Sequence, residues 1–177
     1  MTSKRTDKRT NLYLTGFMGT GKTSIGREVA KALRYRFVDS DRWIEKNCGM
    51  KIPEIFASKG EEWFREQEHR FVEEGHPDEG CVVACGGGLI TVDRTRRALE
   101  SKGLLVALFA SPETVLLRTS RNKNRPLLQT EDPETRIREL MAQRDPIYQS
   151  VPLAVSTDGR AFGDVRDAIL RIYRNHR

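Results

Sequence analysis

Gly16-Phe17-Met18-Gly19-Thr20-Gly21-Lys22-Thr23 is the stretch from which the fold can be read. It fills G-x-x-x-x-G-K-[ST] at every fixed position, a spacing that carries meaning only with a strand before it and a helix after it. The flanks supply both. Leu12-Tyr13-Leu14 is a short apolar run, and Ile25, Val29, Ala32 and Leu33 recur at the spacing of a helix's buried stripe. In that setting glycines let backbone N–H groups close around phosphates, and the helix start turns its positive dipole end to the same point. Lys22 can then reach the β- and γ-phosphates, and the Thr23 hydroxyl can sit on Mg²⁺. Gly19, Thr20, Gly21, Lys22, Thr23 and Ser24 are thus the candidates for binding ATP. The motif names no acceptor and does not separate a kinase from a nucleotide switch.

Beyond the motif, apolar runs alternate with helical patterns, which predicts an α/β fold with a mainly parallel sheet. Phe37-Val38 is a second strand, followed by helical segments near 41–48, 52–58 and 61–74. Cys81–Cys85 is a third strand, fully apolar and halted by Gly86-Gly87-Gly88. A helix over 93–102 leads to the central strand Leu104–Phe109, and Ser111-Pro112 opens a helix to about Thr119. Residues 120–132 are polar, basic and without periodicity, and read as a mobile lid. Asp132-Pro133 starts a helix ending near Arg144, and Leu153–Val155 and Val165–Tyr173 are a last strand and helix. No repeat or linker divides the chain. The division expected is a flexible basic tail over 1–10 and one domain over 11–177.

Three further groups carry chemistry. Asp39 and Asp41 straddle Ser40 just past the second strand, where ligands of parallel sheets collect. One carboxylate can organise Mg²⁺ while the other accepts a hydroxyl proton, or Asp41 merely caps the next helix. Arg65 and Glu68 stand three apart on a helix whose buried face is Trp63, Phe64, Phe71 and Val72. Glu68 can hold the Arg65 guanidinium in place, or, as the spacing favours, the two form a surface pair worth under about 1 kcal/mol. Gly86–Gly88 is costly in backbone entropy for a plain turn, and close approach of its N–H groups to a ligand explains it better. Arg118, Arg121, Arg125, Arg136, Arg138 and Arg144 crowd one third of the chain. Arg125, in the irregular segment, suits a lid arginine closing on a phosphoryl group, and Arg144 can take a carboxylate bidentately.

Composition excludes several classes. The fraction of charged residues is 32% and of hydrophobic residues 37%, which fits a globular chain. No apolar run approaches the ~20 residues of a membrane span, and no signal peptide is evident, so a cytoplasmic protein is expected. Cys48, Cys81 and Cys85 fit reduced thiols rather than a zinc site. Of the net charge of +6, the first nine residues supply +3. The remaining arginines serve phosphates and carboxylates as well as they would nucleic acid. A nucleic-acid module would leave the acidic pair and Gly86–Gly88 unexplained.

Together these residues resemble shikimate kinases. The matching stretches are GFMGTGKTSIGR at 16–27, FVDSD at 37–41, IFASKGEEWFREQE at 55–68, GGG at 86–88, RPLL at 125–128 and RDPIY at 144–148, in the family's order and spacing. The resemblance implies a three-layer P-loop kinase fold with a five-stranded parallel sheet, and ATP-dependent phosphorylation of the 3-hydroxyl of shikimate by a monomer. It further implies that Lys22 binds phosphate and that Thr23 and Asp39 serve Mg²⁺, Asp39 through water. Asp41 would hold the shikimate hydroxyls and act as base. Arg65 and Arg144 would take the carboxylate beside Gly86, Gly87 and Gly88. Arg125 would be the lid arginine, and Arg118 and Arg160 would lie on the adenine side. Two departures are visible: Lys-Thr-Ser stands where the family more often has Lys-Ser-Thr, and Cys85 where a small residue such as threonine is commoner. A gluconate kinase would place arginines for a carboxylate in a similar way, so the family motifs carry the distinction.

Overall fold

A computed structural model of the chain describes residues 9–120 and 132–176. Among them are five strands, all parallel: β1 (Asn11–Gly16), β2 (Arg36–Asp39), β3 (Cys81–Ala84), β4 (Gly103–Phe109) and β5 (Ala154–Ser156). Their order across the sheet is β2-β3-β1-β4-β5. The helices are α1 (Lys22–Leu33), α2 (Ser40–Cys48), α3 (Ile52–Glu74), α4 (Asp93–Lys102), α5 (Pro112–Thr119), α6 (Pro133–Gln149) and α7 (Phe162–His176), with a 3-10 turn at Leu89–Thr91.

The apolar strands are covered on both faces, as parallel strands are when helices pack on either side. Alternation divides them. Leu12 and Leu14 of β1, Val82 of β3 and Val106 and Leu108 of β4 pack with Ile25 and Val29 of α1 and Ile169 of α7. Tyr13, Val83, Leu105 and Ala107 face the other way, toward Phe71 of α3, Leu99 of α4, Val115 of α5 and Ile137 of α6. A smaller cluster, Ile44, Ile55 and Phe64, ties α2 to α3. All three cysteines are free thiols. No helix of the described residues is long and apolar enough to cross a membrane.

Most expected elements stand within one or two residues of their predicted bounds, and two differences bear on the site. The predicted break between 58 and 61 is present as Gly60, at φ 83° and ψ 173°, which interrupts the helical backbone of α3. The helix expected to end at Arg144 instead runs to Gln149 with Pro146 inside it. Pro146 removes one helical hydrogen bond, yet Tyr148 beyond it is buried in the main cluster, and that burial keeps the turn helical.

Because all five strands run the same way, their carboxyl ends share one edge of the sheet. That edge receives the loop after β1, Asp39 at the end of β2, the glycines after β3 and Thr157 after β5. A cavity of about 490 Å³ opens there.

Candidate active site

The loop after β1 forms the floor of the cavity. Gly19 and Gly21 have φ of 78° and 94°, the left-handed region where glycine carries no steric penalty. Gly21 is the N-cap of α1 and offers no capping side chain, so the N–H groups of the first turn remain for an anion. Lys22 Nζ donates to the carbonyls of Gly16 (2.7 Å) and Phe17 (2.8 Å), which holds the ammonium over the loop. Thr20 is buried, and its hydroxyl donates to Phe17 O at 2.8 Å, so that side chain serves the loop itself. Gly19, Thr20, Gly21, Lys22, Thr23 and Ser24 all line the cavity.

Asp39 and Asp41 divide the work differently from the capping alternative. Asp39 is the N-cap of α2, accepting from Arg42 N at 3.3 Å, and its other oxygen accepts from the Thr23 hydroxyl at 2.9 Å. Asp41 therefore does not cap the helix; it lies in the first turn and lines the cavity. Thr23 and Asp39 put two hard oxygen ligands side by side at the cavity wall. Among the described residues no group of three or more His, Cys, Asp or Glu side chains could hold a metal ion by itself, so Thr23 and Asp39 would share the ion with water and substrate. That donor set suits Mg²⁺, which keeps much of its shell as water and phosphate oxygen.

The triple glycine after β3 is where four elements meet. A Cβ on Gly86 would run into the Asp41 carboxylate of α2, and one on Gly88 into the Arg65 guanidinium of α3. One on Gly87 would lie 3.3 Å from Nη1 of Arg144 on α6. Three consecutive glycines thus admit three charged side chains against one turn. The glycines have a reason besides the expected approach of N–H groups to a ligand: the Gly86 N–H donates to the Ser40 hydroxyl at 2.7 Å, and side chains fill the space a Cβ would need.

The Arg65–Glu68 pair is likewise not on the surface. Nη1 of Arg65 donates to Oε2 of Glu68 at 2.6 Å, with the two side chains 16% and 2% exposed. Past the Gly60 break, α3 carries both residues beneath the Gly86–Gly88 turn. Arg65 also donates from Nε (3.2 Å) and Nη2 (2.7 Å) to Glu61 on its solvent side. Burial pushes the Glu68 carboxyl up to about 7, outweighing the pull of Arg65, and its Oε1 has no hydrogen-bond partner. Burial resists the positive charge on Arg65 too, but the two carboxylates hold its pKa above the ordinary arginine value.

On the far side of the loop, Arg118 donates to Gly19 O (3.2 Å), Thr157 Oγ1 (2.9 Å) and Thr157 O (3.2 Å), joining α5 to the floor and to β5. Arg160 lines the cavity with them. Phe162, 48% exposed, presents its ring to the same space. Cys85 is buried below the cavity, and burial drives its thiol far above the ordinary range, so it is core and not a nucleophile. Arg125 and Arg121, the lid segment except for its end residues 120 and 132, and residues 1–8 of the tail lie outside the described residues. Sequence reasoning gives Thr157, Phe162 and Tyr148 no role of their own. The position of Thr157 and Phe162 just past the last strand is the available signal for those two.

With this geometry in place, comparison with known proteins is direct. A family model described as shikimate kinase matches residues 18–172. A shikimate kinase of Caldanaerobacter subterraneus subsp. tengcongensis is 40% identical over 163 residues, covering 92% of this chain and 95% of the relative. The solved shikimate kinase of Acinetobacter baumannii, in complex with shikimate, superposes with a TM-score of 0.87 at 41% identity, over 95% of this chain and 94% of that one. A gluconokinase of Sinorhizobium meliloti superposes with a TM-score of 0.62 at 17% identity, over 94% and 95%, a likeness of fold alone.

Proposed function

This chain belongs to the shikimate kinase family, and we propose on that premise that it transfers the γ-phosphoryl group of ATP to the 3-hydroxyl of shikimate. The products are shikimate 3-phosphate and ADP, on the route to chorismate and the aromatic amino acids. The observation that carries this reading is the meeting of Asp41, Arg65 and Arg144 on three successive glycines, beside the loop that cradles a triphosphate. A small acid with several hydroxyls answers that arrangement: two guanidiniums for a carboxylate, one carboxylate for hydroxyls.

Each residue then has a role. Arg65 and Arg144 hold the acid by its carboxylate, and the backbone of Gly86–Gly88 closes against its ring. Asp41 orients the reacting hydroxyl and takes its proton as the oxygen attacks phosphorus in line. Lys22 leaves the Gly16 and Phe17 carbonyls for the phosphoryl oxygens and, with the amides of Gly19–Thr23, meets their charge. Thr23 and Asp39 would hold Mg²⁺, which would neutralise charge on the phosphates. Arg118 and Arg160 flank the nucleoside, and Arg125 closes from the 120–132 lid, excluding water that would otherwise receive the phosphoryl group. The enzyme works in the cytoplasm as a monomer, on a small-molecule substrate rather than nucleic acid or membrane.

Release of ADP, followed with Mg·ATP and either shikimate or gluconate, tests the reading. Turnover with shikimate and none with gluconate is expected. Turnover with gluconate alone, or ADP release unaffected by either acid, would overturn it.

A further inference from the structure

Tyr148 looks at first like a core residue. It is 1% exposed, and its ring packs in the cluster beneath the sheet with Leu140 and Met141 of α6. Its hydroxyl, however, leaves that cluster toward the Gly86–Gly88 turn. It donates to the carbonyl of Gly87, the middle glycine of the turn. The neighbouring carbonyls are engaged otherwise: Gly86 O accepts from Leu89 N at 3.1 Å, and Gly88 O from Thr91 N at 2.9 Å.

The same hydroxyl shares the Gly87 contact with Arg144: a Cβ on Gly87 would lie 3.6 Å from the Tyr148 hydroxyl and 3.3 Å from Nη1 of Arg144. A guanidinium can only donate, and the phenol oxygen, its proton given to Gly87 O, can only accept from it. Tyr148 follows Arg144 by four residues, so both side chains leave α6 on one face, one turn apart. The guanidinium, the phenol oxygen and the Gly87 carbonyl are therefore grouped at one point of the turn. Pro146 lies between the two, and the helix holds its course past it.

An arginine side chain has much rotamer freedom to lose, and a fixed fork binds a carboxylate better than a wandering one. We propose that Tyr148 is a positioning residue for the acid: its hydroxyl, held on Gly87 O and standing beside Nη1 of Arg144, fixes the guanidinium against the turn at the angle in which it takes the substrate carboxylate. This rests on the reading of Arg144 given above. The ring belongs to the core, and the hydroxyl belongs to the site.

Tyr148→Phe removes the hydroxyl and keeps the ring. Losing one hydrogen bond that orders a binding group should raise KM for shikimate about tenfold. KM for ATP and kcat should stay within about twofold, because the groups that bind ATP and move the phosphoryl group do not lean on this oxygen. A double-mutant cycle with Arg144→Ala separates positioning from bulk structure. Arg144→Ala alone should weaken shikimate binding, and adding Tyr148→Phe should then weaken it no further, read as Kd by calorimetry where turnover is too slow. An unchanged KM for shikimate in Tyr148→Phe overturns the proposal. So do equal rises in both KM values, an undiminished effect in the Arg144→Ala background, or a Phe variant that fails to fold. If Arg144→Ala itself leaves shikimate binding unaltered, the role of Arg144 falls first and that of Tyr148 with it.

Discussion

The two ends of the site, the cavity's phosphate loop and the cluster around Gly86–Gly88, are built in opposite ways. The phosphate end comes from one continuous segment, residues 16–24, whose shape follows from local rules: glycines at positive φ, a strand before and a helix start after. The acid end comes from four separate elements. Asp41 comes from α2, Arg65 and Glu68 from α3, the glycines from the end of β3, and Arg144 and Tyr148 from α6. A local site tolerates change elsewhere in the molecule, while an assembled one depends on the packing of every element that contributes to it. The nucleotide end should therefore fail through single atoms, and the acid end through misplacement.

Substitutions can break this contrast, and the largest effect lies at the local end. Lys22→Met should lower kcat/KM by roughly 10³-fold, since the ammonium meets charge that develops at the phosphoryl oxygens. A steady-state assay giving wild-type turnover would remove the loop from the chemistry. Next comes Asp41→Asn, where loss of the proton acceptor should lower kcat at least ~10²-fold. ATP affinity, measured by calorimetry, should survive that change, because Asp41 belongs to the acid end of the site; a matching loss of ATP affinity would merge the two ends.

Gly88→Ala sharpens the comparison further. The added methyl would sit where the Arg65 guanidinium lies, so the fork must move while the fold stays. Displacing a binding group by about 1 Å should raise KM for shikimate roughly 30-fold and leave KM for ATP alone. Equal KM values before and after would mean that Arg65 has slack the packing does not suggest.

The last effect is on stability rather than turnover and concerns Glu68. Its carboxyl titrates near 4.5 in the unfolded chain and is pushed up to about 7 in the fold. Between those values the folded protein holds a proton that the unfolded chain has released, so stability falls as pH rises through that window. Relative to Glu68→Gln, the wild type should lose about 3 kcal/mol across it and then level off above about 7. Thermal unfolding at a series of pH values would show this, and parallel curves for the two proteins would contradict it.

Several features are legible in the sequence because they are short-range. The loop motif, the apolar strands, the break near Gly60 and the importance of Gly86–Gly88 all lie within a few residues of their causes. Even so, the glycines leave their own reason open. A run of glycines says that something comes close, but not whether it is a ligand or a side chain from elsewhere. The Arg65–Glu68 spacing fits a solvated helix face as well as a buried pair, since nothing in the helix tells which side α3 turns inward. Pro146 reads as the end of a helix because the packing of Tyr148, which outweighs the lost hydrogen bond, is a tertiary contact.

By itself, then, the sequence determined that this chain alternates strands and helices around a phosphate-binding loop, because hydrophobic period and glycine placement act over neighbouring residues. Only the tertiary structure decided that Asp41, Arg65 and Arg144 face one turn and that Glu68 is buried beneath it. Parallel strands order themselves by crossovers, β3 falling between β1 and β2, and that order brings residues from positions 41 to 148 to a single edge. Contacts that distant depend on which layer each helix joins, and that choice is made by the whole core at once.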